Sequence, residues 1–65
     1  MIKTIIRLQK DMVMVFDENG EQVPVYQGRY PDMRKKLLRD APEEAVFSNW
    51  FDDVVEAKVV TRENW

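Results

Sequence analysis

Few side chains in this 65-residue chain are suited to chemistry, and their spacing limits what each can do. The chain has no His and no Cys. That removes the usual bases at neutral pH, the thiol nucleophiles, and the ligand sets of zinc sites. Paired carboxylates remain. Asp52 and Asp53 are adjacent, so on a strand they point to opposite faces and cannot share a substrate; a turn is the better assignment. Asp17-x-Asn19-Gly20 has the opening of a calcium loop but lacks its later ligands and its closing Glu, so Asn19-Gly20 is assigned to a hairpin turn. Ser48 and the two threonines have no partner base of the usual kind, and two glycines eight residues apart make no phosphate loop. No catalytic residue, metal or cofactor is therefore expected, and the chain is not expected to be an enzyme.

The most concentrated polar feature is basic: Arg29, Arg34, Lys35, Lys36 and Arg39. On a helix Lys35 and Arg39 are one turn apart with Lys36 beside them, a spacing that can neutralise phosphates. Tyr26 and Tyr30 flank Arg29, compatible with base stacking or with core packing. The ordinary reading is a solvated helix face paired with the acidic stretch that follows. Charge alternates in blocks: +3 over residues 1–10, -4 over 11–21, +4 over 22–39, -6 over 40–57 and +1 thereafter, for a net -2. No Gly-aromatic nucleic-acid signature accompanies the cluster, and the whole chain is acidic, so nucleic-acid binding through Arg29–Arg39 stands as the alternative function.

The apolar residues carry the leading one. Met12-Val13-Met14-Val15-Phe16 is an unbroken apolar run. A strand exposed on one side alternates apolar with polar, so this run asks for cover on both faces. Met12, Met14 and Phe16 fall on one face and Val13 and Val15 on the other. Trp65 is the final residue and is expected either as a lid or as a contact with a partner; Trp50 is expected in or near the core. Met12, Met14, Phe16 and Trp65 are thus the candidate interaction face.

The elements that position these residues follow from period and punctuation. Ile2–Leu8 alternates, with Ile2, Thr4, Ile6 and Leu8 on the expected core face. Residues 9–11 break it as a short hairpin loop, and Met12–Phe16 is a second, central strand. Asn19-Gly20 turns the chain into a returning strand over Glu21–Tyr26, placed at an edge because Pro24 cannot donate to a ladder. Tyr30–Pro42 holds the only convincing helix: Pro31 suits its first position, Asp32 and Arg39 complement the dipole at either end, and Met33, Leu37 and Leu38 make an apolar stripe that Tyr30 extends. Pro42 stops it. Ala45–Phe51 and Val54–Thr61 read as two more strands around the Asp52-Asp53 turn, with Val55, Ala57 and Val59 on one face.

The order βββαββ predicts one α+β domain over residues 1–65, a small antiparallel sheet with its one helix packed on one face. One helix covers one face of such a sheet and leaves the other to the chain itself, to a second copy, or to another partner. No stretch reaches the ~20 apolar residues of a membrane helix. Lys3, Arg7 and Lys10 interrupt any signal-peptide core, which predicts a cytoplasmic protein without a membrane partner. The expected function is a non-enzymatic protein–protein interaction module, acting through an apolar sheet face or a strand edge. Its expected occupant is an unidentified protein or a second copy of the chain.

Overall fold

The first two apolar segments form the centre of the sheet. In the computed structural model, which describes residues 1–51 and 56–65, β1 (Ile2–Leu8) and β2 (Met12–Asp17) pair antiparallel through the loop Gln9–Asp11. Lys10 and Asp11 both take the left-handed conformation in that loop, at φ 63° and 55°, which an L side chain adopts at a cost. Arg7 reaches over to hold the Asp11 carboxylate at 2.6 Å.

The segment after Asn19-Gly20 is not the strand expected over Glu21–Tyr26. Gly20 makes the turn at φ 79°, and Asp17 ties it by accepting the amides of Asn19 and Glu21 on Oδ1. The chain then touches β2 through a single bridge, Gln22 to Phe16, and the Val23 amide donates to the Val15 carbonyl. At Pro24 the ladder stops, because proline has no N–H to give. Pro24–Tyr26 winds into a 3-10 turn, and pairing resumes only at β3 (Gly28–Arg29), against Val13 and Met12. The Gln27 side chain fills the gap: its Oε1 accepts the Val15 amide at 3.0 Å.

Helix α1 (Tyr30–Asp40) begins directly after β3, with Pro31 in its first turn rather than at its first residue. It leads to β4 (Val46–Trp50), followed by β5 (Lys58–Val60). The sheet is mixed, in the order β3-β2-β1-β4-β5. The expectation of a wholly antiparallel sheet fails at one junction: β4 lies beside β1 and runs parallel to it. The reason is the helix. Strands β3 and β4 point the same way, and a crossover of a dozen or more residues is what parallel strands require. The expected turn at Asp52-Asp53 and the first part of the fifth strand lie outside the described residues.

Cross-strand pairing fixes which side chains share a face. Ile5 stands opposite Val15 on one side and Phe47 on the other. These three, with Val13, Leu37, Ala41, Ile2 and Trp65, form the buried core under α1. The core face of β1 is therefore the one bearing Ile5, the reverse of the expected Ile2/Thr4/Ile6/Leu8 face. Ile2 joins it only because an irregularity between Ile2 and Thr4 inserts an extra residue and shifts the alternation. The helix stripe lies as expected: Leu37 is fully buried, and Tyr30, Met33 and Leu38 pack around it.

The C-terminal turn Arg62–Asn64 seals the core from the end. Trp65, 2% exposed, packs edge-on against both Tyr30 and Phe47, at 5.1 and 5.0 Å between ring centres. Its indole N–H donates to the Ser48 carbonyl at 2.9 Å, and the Tyr30 hydroxyl donates to its main-chain oxygen. Arg62 lies over the Phe47 ring and donates to the Ala41 and Pro42 carbonyls at 3.1 and 2.6 Å, so a cation satisfies acceptors at the C-terminal end of α1.

Candidate functional site

The opposite face of the sheet is built by the other half of each alternation. β1 contributes Ile6 and Leu8, β2 contributes Met12, Met14 and Phe16, β4 contributes Val46 and Trp50, and β5 contributes Val59. None of these belongs to the core cluster or packs against it. Met12 is 43% exposed, Val46 38% and Val59 72%, while the central residues Ile6, Met14 and Phe16 are half-buried by one another. Among the described residues, α1, the 3-10 turn at Pro24–Tyr26 and the C-terminal turn with Trp65 all lie on the core side.

The polarity of this face is low throughout. From Thr4 across to Val59, pairing places a single charged residue on it, Arg29, at the β3 margin opposite Met12. Ser48 sits near the middle, opposite Ile6 and Val59. Its hydroxyl donates to the Ile5 carbonyl at 3.0 Å and is buried, so it presents no unpaired donor at the surface.

The sequence singled out four residues for this face, and the structure brings three of them together. Met12, Met14 and Phe16 form one row along β2, with Val13 and Val15 behind it in the core. Trp65 is on the other side of the sheet, buried among Tyr30 and Phe47, and belongs to no surface. Trp50, expected near the core, is instead 41% exposed at the end of β4. Ile6, Leu8, Val46 and Val59 complete the face. Ile6 and Leu8 alternate as the sequence predicts, but pairing with β2 and β4 puts them on this face rather than on the expected core face.

The basic cluster does not stay together. Arg34 and Lys36 leave opposite flanks of α1: Arg34 reaches the Glu63 carbonyl at 3.5 Å, and Lys36 reaches the Val25 carbonyl at 3.4 Å above the Tyr26 ring. Arg39 is bound to Asp40 at 2.7 Å. Arg29 precedes the helix on the sheet, which leaves Lys35 exposed on the outer ridge.

The carboxylates are similarly occupied. A groove of about 440 Å³ is lined by Asp17, Tyr26 and Asp40 together with Ile2, Val23 and Pro42. Asp17 serves the turn. Asp40 accepts from Arg39 and from the Tyr26 hydroxyl at 2.7 Å, which together hold its carboxyl at about 2 and raise the Tyr26 phenol. Among the described residues no cluster of His, Cys, Asp or Glu could hold a metal ion. No helix among them is long and apolar enough to cross a membrane. The chain matches no protein-family profile, no curated protein and no solved structure.

Proposed function

We propose that this chain is a non-enzymatic protein-interaction module whose working surface is the apolar sheet face opposite α1. One observation carries the reading: among the described residues, eight large apolar side chains lie on a face that α1 does not cover. Contiguous apolar patches of this kind mark interaction sites on small proteins. The two methionines suit the role, since their unbranched thioethers repack against varied partners. The strand edges fit it less well. β3 has two residues and β5 three, too few to offer an added strand a ladder of useful length.

Nucleic-acid binding through Arg29, Arg34, Lys35, Lys36 and Arg39 is the weaker reading, because Arg34, Lys36 and Arg39 are each turned to a protein oxygen. A photo-reactive residue placed at Met12 or at Lys35, in cells producing the protein, separates the two. Adducts to protein are expected from Met12 and not from Lys35. Adducts to nucleic acid from Lys35, abolished by changing Lys35, Lys36 and Arg39 to Gln, would reverse the ranking.

A further inference from the structure

We infer that the occupant of the apolar face is a second copy of this chain, packed face to face as a two-sheet sandwich. The inference rests on the interaction-module reading and adds the identity of the partner. Three features of the face favour it.

The first is width. Five strands about 4.8 Å apart make a face roughly 19 Å across. A docked helix is about 10 Å in diameter and covers half of it. A second sheet of the same width and the same twist covers all of it, and twisted sheets stack with their strands about 30° apart.

The second is area. Strands of five to seven residues such as β1, β2 and β4 are about 17–23 Å long, giving each face a projected area near 400 Å² and a larger one once side-chain relief is counted. Two copies then bury about 1,000 Å² in total, the lower bound for a specific interface and the size of a weak, concentration-dependent dimer.

The third is charge. A two-fold interface sets a surface against itself, so any charge within it meets its own sign or is buried alone. Among the described residues this face has no charge in its interior. Its one central hydroxyl, on Ser48, is already satisfied from within by the Ile5 carbonyl. Arg29 lies at the margin, where it stays in water. The surface is therefore compatible with its own copy, although the chain as a whole carries -2.

The test is the solution mass of the 65-residue chain by sedimentation equilibrium, for the parent and for Met12→Lys and Val59→Lys. Met12 and Val59 sit on different strands of the face and are exposed in the monomer, so neither substitution disturbs the core; circular dichroism checks this. The parent is expected at twice 7.8 kDa. Its dissociation constant should change little between low and high salt, and each Lys variant should raise it by ~100-fold or more, from an unpaired charge buried in the interface. A dimer that survives both substitutions uses another surface and overturns the inference. A parent that stays monomeric to roughly 100 µM also overturns it. The Met12 photo-adduct then decides the broader reading: an adduct to a different protein keeps the interaction module and replaces its partner, and no adduct removes both.

Discussion

Gln27 should be worth more to this fold than its half-exposed position suggests. β2 needs a partner on its outer side, and among the described residues backbone pairs it at Met12, Val13 and Phe16 and reaches the Val15 carbonyl from Val23. Between them the Val15 amide, on a fully buried residue, is paired by the Gln27 Oε1 at 3.0 Å. Gln27→Ala removes the acceptor and leaves a buried N–H behind, and such a group costs about 1–3 kcal/mol. The accompanying bond from Gln27 Nε2 to Gln22 is exposed, so it adds little. In a domain of this size each 1 kcal/mol moves the melting midpoint by about 4–8 °C. Gln27→Glu keeps an acceptor at the same reach and should recover most of the loss. Thermal melts followed by circular dichroism give the energy, and amide hydrogen exchange at Val15 gives the location. A Gln27→Ala protein that melts with the parent, and whose Val15 amide exchanges no faster, would refute the assignment of this side chain as a substitute for a strand residue.

Three further outcomes follow from the packing and the electrostatics. Leu37→Ala should cost about 2–5 kcal/mol, most of the stability of a small domain, because Leu37 is the fully buried contact of α1 with the sheet; urea unfolding measures it. Lys10→Gly should be neutral or stabilising by up to about 1 kcal/mol in the same assay, since glycine relieves the left-handed backbone of the Gln9–Asp11 loop while adding entropy to the unfolded chain. Asp40 is held at about 2, below its ordinary 3.8, first by Arg39 and then by Tyr26. A depressed carboxyl stabilises above its unfolded value and loses that contribution as pH falls through its folded value, so Asp40→Asn should lower stability modestly at neutral pH, flatten the acid branch between roughly pH 4 and 2, and match the parent below it.

The α+β class, the first two strands and the helix were legible in the sequence because each had local punctuation: Pro31 and Asp32 opening α1, Arg39 and Pro42 closing it, Asn19-Gly20 for the turn after β2. What stayed hidden was set by contacts between distant residues. The parallel β1–β4 pair depends on where the crossover lands. The choice of Ile5 over Ile6 for the core depends on Phe47, forty-two positions away in the chain, and on the irregular pairing after Ile2. The strand expected over Glu21–Tyr26 was lost to Pro24, whose consequence was visible, and to the 3-10 turn it begins, which was not. Of the candidate face, the row Met12, Met14, Phe16 was read from alternation alone. Trp65 was misplaced because a terminal tryptophan has no periodic neighbours to say which side it packs on, and its position is decided by Tyr30, Phe47 and the Ser48 carbonyl.

The division of apolar residues between the two faces bears on how such a domain stays folded. A chain of this length buries only about 60% of the surface its unfolded form exposes, which leaves a thin margin. The helix side uses Ile5, Val13, Val15, Leu37, Phe47 and Trp65 to make one small core. Tyr30, Met33, Leu38 and Val60 pack around it, while Ile6, Leu8, Met12, Met14, Phe16, Val46 and Val59 are on the far face, where they favour association. If those residues are buried by a second copy, folding and dimerisation become one equilibrium, and stability depends on protein concentration. Raising the concentration ~100-fold should then move the melting midpoint of the parent upward by several degrees, because mass action adds about 2.7 kcal/mol of coupling at that ratio. Met12→Lys should melt at one temperature across the same range. A midpoint independent of concentration in the parent would mean that the helix side alone holds the fold and that the apolar face awaits some other partner.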